Sequence, residues 1–196
     1  MIKDNKIIVI GNGSSVLNKK MGETIDSFED VVRFNDYKMK GFQDFIGSRT
    51  TIWARSNSNR TKNRDWSNFN KVIVCSPEWN YKNIKRLLKA GNTEGILIPR
   101  YDALQLQNEL GLPGRVRKKG KWLRGWPSTG LLLLDYLIKH YDCVYIYGFD
   151  FFKQINGHPR HYYNNKEKMK VTYVHDSEKE KKWVYKKIKE GKIKEL

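Results

Sequence analysis

The sequence predicts one α/β domain over residues 1–196, a Rossmann-like fold with a mostly parallel central sheet flanked by helices. Short apolar segments alternate along the chain with segments of helical periodicity, which is typical of strand–helix units. The apolar segments are unbroken, as expected for strands that are buried on both faces of a parallel sheet. A length of 196 residues suits one domain with a sizeable core, and no internal repeat is visible.

Six apolar segments predict the strands, namely residues 6–10, 31–35, 51–54, 71–75, 95–98 and 143–147. Apolar residues at helical spacing predict helices over 14–25, 80–90, 102–110, 129–141 and 178–189. The helix over 129–141 is apolar nearly all round, so we expect it to be buried. Two polar segments, 55–70 and 114–125, predict mobile loops. The second carries six basic residues and is consistent with a lid, an acceptor clamp or a plain solvated loop.

The formal net charge of +17 is consistent with three kinds of surface: one that binds nucleic acid, one that contacts an anionic membrane face, and a merely solvated lysine-rich face. No apolar run approaches the roughly 20 residues that span a bilayer, and the first residues lead directly into a strand. We therefore expect no signal peptide and a cytoplasmic location. Cys75 and Cys143 lie in apolar, strand-like segments, which favours buried free thiols over a disulfide.

Small polar residues stand at the start of the buried helix. Pro127, Ser128, Thr129 and Gly130 precede the apolar run of that helix. The first N–H groups of a helix have no partner within it, and the helix dipole is positive there, so this end favours an anion. The strand that follows the helix ends in Gly148 and Phe149. This pattern predicts a binding site for a nucleotide or another anionic ligand.

Polar residues also follow the first two predicted strands. Gly11, Asn12 and Gly13 come after the first strand and allow close approach of the backbone to a phosphate, although a tight turn alone explains the two glycines. Asn35 ends the second strand, so both asparagines are expected at the carboxyl edge of the sheet, where open α/β sheets bind ligands. Asn35 has the simpler alternative of merely ending a strand. Val16 replaces the third glycine of the dinucleotide fingerprint, which disfavours NAD.

The four histidines show no metal-binding pattern. They are His140, His158, His161 and His175. No two of them have the spacing of a zinc pair on one helix face, no cysteine accompanies them, and the chain contains no Asp-x-Asp. Taken singly, each is more typical of a surface or capping position, and His140 suits the C-terminal end of the buried helix. The sequence therefore predicts no metal site.

Taken in order, these segments resemble the eukaryotic-type sialyltransferases, glycosyltransferase family 29, whose members carry four sequence blocks. The large sialyl motif resembles residues 8–35, and the small motif resembles residues 127–149. The third motif is similar to residues 161–163, which read His-Tyr-Tyr. The very small motif, a His and a Glu separated by four residues, matches His175 and Glu180. Four blocks in the right order are far more specific than any one of them.

The resemblance implies a GT-A-like fold and an inverting, metal-independent glycosyltransferase that needs no cofactor. Such an enzyme moves sialic acid, or a related keto-sugar acid such as Kdo, from its CMP ester to a glycan or glycolipid hydroxyl. The resemblance implies that His175 is the general base and that His161 stabilises the phosphate leaving group. It also implies that the CMP ester contacts Gly11, Asn12, Gly13, Ser14, Asn35, Ser128, Thr129, Gly130, Gly148 and Phe149.

The chain departs from the family pattern in several places. The family has an N-terminal membrane anchor and stem, and a disulfide between the large and small motifs. Cys143 fits one partner of that disulfide, but no cysteine precedes Gly11. Asn164 follows the third motif where an acid is common. These departures favour a soluble bacterial or viral relative, and the bacterial sialyltransferase family 42 shares a similar Gly-Asn-Gly start.

The alternative from another class is a basic nucleic-acid-binding protein without catalysis. The net charge of +17 and the basic segment 114–125, which carries Trp122, motivate this hypothesis. It does not explain Asn12, the residues at the start of the buried helix, or His175. Nucleic acid is therefore the less favoured partner.

Overall fold

The computed structural model describes residues 6–56, 58, 61–62, 64–75, 94–118, 121–152, 161–163 and 175–196. Within these ranges the strands are β1 Ile7–Ile10, β2 Asp30–Phe34, β3 Ile52–Ser56, β4 Lys71–Cys75, β5 Glu94–Leu97, β6 Gly114–Lys118, β7 Lys121–Gly125, β8 Val144–Tyr147 and β9 Ile193–Glu195. The α-helices are α1 Gly22–Asp26, α2 Gln43–Ile46, α3 Arg100–Glu109, α4 Thr129–Leu137 and α5 Ser177–Lys189. Two 3-10 helices span Ser14–Asn18 and Trp66–Asn68.

Seven strands form one parallel sheet in the order β5-β4-β3-β2-β1-β8-β9. The chain builds outward from β1 to β5 and then returns to the other side of β1 with β8. At such a switch point the connections leave β1 and β8 in opposite directions, which opens a crevice at the carboxyl ends of the two strands. The predicted fold class, a parallel sheet flanked by helices, is confirmed.

Helices cover both faces of this sheet. On one face α3, α4 and α5 pack through residues such as Leu106, Leu133 and Trp183. On the other face the first 3-10 helix, α1 and α2 bury residues such as Val16 and Ile25. Helix α4 is buried along almost its whole length, as its sequence predicts, because it lies between the sheet and the two neighbouring helices.

The prediction of one helix over 14–25 is wrong. The 3-10 helix ends at Asn18. The next residue, Lys19, is extended with φ −145° and ψ 136°, and α1 starts separately at Gly22. Gly22 lies so close to the carbonyl oxygen of Gln43 that a Cβ atom there would collide with it. The break lets α1 pack closely against α2, a helix that the sequence analysis did not predict.

The prediction of a loop over 114–125 is also wrong. Strands β6 and β7 pair antiparallel, with Gly114 opposite Gly125 and Val116 opposite Leu123. In β6 the apolar Val116 stands between Arg115 and Arg117, and this alternation is the strand signal that the count of charges obscured. The hairpin ends directly before Trp126 and the start of α4.

The polar segment 55–70 is more ordered than predicted. Strand β3 continues to Ser56, and the side chains of Trp66 and Phe69 are buried. The rest of that segment lies partly outside the described residues. The helix predicted over 80–90 lies wholly outside them. Strand β9 escaped prediction because Ile193 is its only buried residue, so no apolar run marks it.

The two cysteines are free, as predicted, with Cys75 buried and Cys143 half-buried. In the described part of the chain, no helix combines the length and the apolar character that crossing a bilayer requires.

Candidate active site

Backbone contacts join the loop after β1 to the loop after β8. The N–H of Gly11 donates to the carbonyl of Tyr147 at 2.7 Å, and the N–H of Gly13 donates to the carbonyl of Gly148 at 3.0 Å. A Cβ atom on Gly11 or Gly13 would collide with the Gly148 carbonyl oxygen. The two glycines therefore allow the strand ends to run in direct contact at the switch point.

Two side chains fill the remaining space in this loop pair. Val16 packs against Gly148, which has φ +74°, and a Cβ atom there would collide with it. The residue that departs from the dinucleotide fingerprint thus has a packing role. The carboxylate of Asp150 accepts the N–H of Ser15 at 3.0 Å and occupies the space beside Gly13. Asp150 was not among the predicted site residues. Ser14, which was, is buried, and its hydroxyl has no hydrogen-bond partner among the described residues.

Both predicted asparagines lie at the carboxyl edge, on neighbouring strands. The Asn12 side-chain amide donates to the carbonyl of Phe34 at 3.3 Å. Asn35 has φ +53°, and its side-chain oxygen accepts the N–H of Ser56 at 2.9 Å. Each side-chain amide therefore uses one of its two polar atoms in a hydrogen bond to a neighbouring strand. The Asn12 oxygen and the Asn35 nitrogen are the amide atoms that these bonds leave over for a ligand.

The start of α4 is partly occupied by the protein itself. Ser128 caps the helix, since its hydroxyl oxygen accepts the N–H of Leu131 at 3.2 Å. The carboxylate of Glu180, from α5, accepts the N–H of Ser128 at 2.8 Å and its hydroxyl proton at 2.7 Å. The prediction that every N–H at this helix start is free is therefore corrected. The N–H groups of Thr129 and Gly130 still have no partner within the helix.

Glu180 is buried in this position, and burial raises its pKa to about 7. The two bonds from Ser128 oppose that shift, because they stabilise the charged form. Glu180 therefore places a carboxyl group that titrates near neutral pH at the end of α4 that favours negative charge.

Aromatic rings from two strand ends pack against the first turn of α4. A Cβ atom on Gly130 would lie 3.3 Å from Phe149 and 3.4 Å from Phe34. The two rings are themselves in contact, with centroids 5.9 Å apart. Gly130 therefore brings the first turn of α4 into close contact with Phe34, at the end of β2, and with Phe149, after β8.

His175 is held beside the start of α4. Its Nδ1 lies 2.9 Å from the carbonyl oxygen of Trp126. Because a carbonyl only accepts, Nδ1 carries the proton in this bond, and the lone pair of the neutral ring is on Nε2. Burial lowers the pKa of His175 below its usual value of 6.5, so the ring is neutral at neutral pH. The ring of Phe152 stacks on it, with centroids 5.6 Å apart and planes 9° from parallel.

His161 lies against the loop that follows β1. It forms an isolated antiparallel bridge with Gly13, and its ring stacks on Tyr163 with centroids 5.4 Å apart. The buried Tyr162 between them donates its N–H to the carbonyl of Asn12 at 3.2 Å and its hydroxyl to the carbonyl of Lys38. The His-Tyr-Tyr segment is thus docked on the loop after β1, as a site that joins these segments requires.

The remaining histidines are elsewhere. His140 is exposed at the end of α4, where its Nδ1 contacts the carbonyl of Tyr136 at 2.7 Å. His158 lies outside the described residues. In the ranges that the structure covers, no group of three His, Cys, Asp or Glu side chains is arranged to hold a metal ion.

The family model of glycosyltransferase family 29 (sialyltransferase) matches residues 5–192. The chain belongs to this family. The match includes all four segments that the structure gathers at the carboxyl edge of the sheet: the loop after β1 with Asn35, the start of α4, the His-Tyr-Tyr segment, and His175 with Glu180. It also confirms the family resemblance seen in the sequence.

Individual sialyltransferases align with most of this chain. The CMP-N-acetylneuraminate-beta-1,4-galactoside alpha-2,3-sialyltransferase of Homo sapiens is 24% identical over 100% of this chain and 58% of its own length. The CMP-N-acetylneuraminate-beta-galactosamide-alpha-2,3-sialyltransferase 1 of Mus musculus is 28% identical over 87% of this chain and 52% of its own length. The chain thus spans less than two thirds of the relatives it matches.

The fold agrees with a solved member of the family. A mammalian sialyltransferase crystallised in complex with Gal-beta-1-3GalNAc-ortho-nitrophenol superposes with a TM-score of 0.73, at 18% identity. The superposition covers 98% of this chain and 69% of that structure. At this level of identity the likeness concerns the fold, which is that of the sialyltransferases.

Proposed function

We propose that this protein is an inverting, metal-independent sialyltransferase that moves sialic acid from CMP-sialic acid to a hydroxyl group of a glycan. The observation that carries the proposal is the position of His175, a half-buried neutral imidazole whose Nδ1 proton is held by the Trp126 carbonyl. An imidazole in this tautomer offers Nε2 as a general base beside a helix start that favours a phosphate.

The donor binds at the switch point in this proposal. The N–H groups of Thr129 and Gly130 and the positive end of α4 face the phosphate of the CMP ester. Asn12 and Asn35 contact the nucleoside through the amide atoms that their strand contacts leave over. Ser128 acts indirectly, since its hydroxyl proton is already donated to Glu180. Its role is to hold the first turn of α4 in position.

The transfer step needs one proton acceptor and one site for the departing charge. Nε2 of His175 takes the proton of the acceptor hydroxyl, and the hydroxyl oxygen forms a bond to the anomeric carbon of the sugar. The bond from that carbon to the phosphate oxygen breaks, and CMP leaves with the electron pair. His161 and the helix N–H groups stabilise the charge on the phosphate, which is the part a metal ion plays in other transferases.

The names of two relatives support the donor and the acceptor that we propose. The human and mouse relatives are named for CMP-N-acetylneuraminate and for galactoside or galactosamide acceptors. We therefore propose CMP-sialic acid as the donor and a galactose-terminated glycan as the acceptor. CMP-Kdo remains the alternative donor, because it presents the same CMP ester of a keto-sugar acid.

The test is turnover of these donors by the full chain. The protein is incubated with CMP-sialic acid and lactose in EDTA, CMP release is followed by chromatography, and the anomeric configuration of the product is read by NMR. We expect CMP release that depends on lactose, with inversion. Parallel samples contain CMP-Kdo. Failure to release CMP from either donor, together with no measurable binding of CMP, would overturn the proposal.

A further inference from the structure

The chain leaves β8 through two consecutive residues with left-handed backbone conformations. Phe151 has φ +48° and Phe152 has φ +62°. Such angles are unfavourable for bulky side chains and persist only where the surrounding structure imposes them. In the described ranges, the only other residue besides glycine with positive φ is Asn35, which belongs to the candidate site. Among the described residues other than glycine, positive φ angles thus occur only near the candidate site.

The side chains of the two phenylalanines have different surroundings. Phe151 packs against the main core beneath the sheet edge. Phe152 leaves the core, stacks on His175 and keeps 39% of its surface exposed. Among the residues whose burial the structure gives, the other exposed large hydrophobic residues are Tyr101 and Tyr185, both of which carry a hydroxyl. Phe152 has no polar atom, so its exposed part is an apolar surface that adjoins the imidazole of His175.

The imidazole of His175 overlaps only part of the Phe152 ring. Rings in van der Waals contact lie about 3.5 Å apart, so near-parallel rings with centroids 5.6 Å apart are displaced sideways by about 4 Å. On the face of Phe152 that it contacts, the imidazole of His175 therefore overlaps only one edge of the ring. A flat ligand on the rest of that face lies beside the imidazole, roughly in the plane that contains the Nε2 lone pair.

We propose that Phe152 is the floor of the acceptor subsite. Its ring packs against the C–H face of the accepting pyranose, such as that of galactose, and so presents the acceptor hydroxyl to Nε2 of His175. The same ring positions the imidazole by stacking on it. This inference rests on the proposed function, because it assigns the acceptor to the site of the proposed base. It adds an aromatic, apolar subsite that the sialyl motifs themselves do not include.

The experiment compares variants that lose the ring with variants that keep it. Phe152→Leu removes the ring but keeps apolar bulk. Phe152→Asn also removes it and suits the left-handed backbone, which protects the fold. Phe152→Tyr and Phe152→Trp keep an aromatic face. Tyr185→Leu removes an exposed aromatic ring on the outer side of α5 and is the matched control.

We expect kcat/KM for lactose to fall about tenfold in Phe152→Leu and Phe152→Asn. The KM for CMP-sialic acid and the hydrolysis of that donor without acceptor should change less than twofold. Phe152→Tyr and Phe152→Trp should keep most of the activity, and Tyr185→Leu should keep all of it. A parallel loss of donor and acceptor parameters in both ring-less variants, or no loss in either, would overturn the inference.

A binding measurement separates this inference from the proposed function. NMR of the protein without donor follows the ring C–H signals of His175 while lactose is added. In the wild type these signals should shift on addition, and Phe152→Leu should abolish the lactose-dependent shift and alter the starting positions. If the wild type turns over no donor yet shows this Phe152-dependent response, the proposed reaction fails and the subsite stands. If lactose shifts neither protein, the subsite is refuted.

Discussion

Hydrogen bonds between backbone groups fix the loop after β1, whereas contacts of its side chain fix the position of His175. In the first region, which we call the donor half after its proposed role, Gly11 and Gly13 bond directly to the loop after β8, and no added Cβ atom fits. In the second region, which we call the acceptor half after its proposed role, His175 contacts the carbonyl of Trp126 and the ring of Phe152. Both regions meet at the start of α4.

This difference affects how each half responds to mutation. A backbone contact that requires glycine does not accommodate a larger residue, so this half of the site depends on Gly11 and Gly13 in this chain. Side-chain contacts can be exchanged for others of similar shape. We therefore expect changes in the donor half to alter CMP binding and stability together. Changes in the acceptor half should alter turnover while CMP binding is retained.

The largest effect is expected from His175→Ala, in the acceptor half. Loss of a general base lowers kcat by about 10²- to 10⁴-fold. Because the imidazole is held by Trp126 and Phe152 rather than by the donor loop, the dissociation constant of CMP should change less than about twofold. Calorimetry with CMP and steady-state kinetics measure the two quantities, with His140→Ala as the control. Equal losses of CMP affinity and turnover would make His175 a binding residue instead.

The next effect concerns Gly148, in the donor half. Gly148→Ala places a Cβ atom against Val16 at a residue with φ +74°, so we expect a loss of about 3 kcal/mol in the free energy of unfolding and weaker CMP binding. Gly191 is a matched control, with φ +73° and no atom within 4 Å of an added Cβ. Gly191→Ala should cost only about 1 kcal/mol. Urea unfolding of both variants measures the difference, and equal costs would show that close packing at Gly148 is unimportant.

Glu180 joins the two halves and should make stability depend on pH. Folding raises its pKa from 4.5 to about 7, so its contribution is complete below pH 4.5 and is lost as the pH rises through about 7. Relative to Glu180→Gln, the wild type should lose about 3 kcal/mol of unfolding free energy between pH 4.5 and pH 8. Glutamine does not titrate; its amide oxygen can still accept the Ser128 N–H, and its amide nitrogen donates to the Ser128 hydroxyl oxygen in place of the acceptor lost there. Urea unfolding at the two pH values tests this, with Glu190→Gln as an exposed control; parallel curves for wild type and Glu180→Gln would contradict it.

The smallest effect is expected from Tyr162→Phe. The variant keeps the ring against Phe42 but loses the hydroxyl bond to the Lys38 carbonyl, which should cost about 1 kcal/mol of stability. Because Tyr162 docks the His161 segment on Asn12, CMP release should slow a few-fold while lactose KM is unchanged. Thermal unfolding and kinetics give both values. A change confined to the lactose KM would place the His-Tyr-Tyr segment in the acceptor half.

The sequence predicts the sheet well, because its strands appear as local patterns, and it also predicts that Asn12 and Asn35 lie at the carboxyl edge of that sheet. Unbroken apolar runs mark the strands from β1 to β5 and β8, and glycines and asparagines at their ends mark the site. Contacts between distant residues leave no such pattern. The sequence does not reveal that Glu180 occupies the start of α4, that Asp150 fills the space beside Gly13, or that Phe152 covers His175. The roles of the site residues in CMP binding and catalysis stay predictions, as do the cytoplasmic location and the absence of a cofactor.

A crystal structure of the full chain with CMP tests the central claim most directly. We predict that the phosphate lies within hydrogen-bond distance of the Thr129 or Gly130 N–H and of the His161 ring. The cytidine should contact Asn12 and Asn35, and Ser128 should stay bonded to Glu180. CMP bound elsewhere at saturating concentration, or a phosphate directed away from the start of α4, would contradict the account of this sheet edge as the donor site.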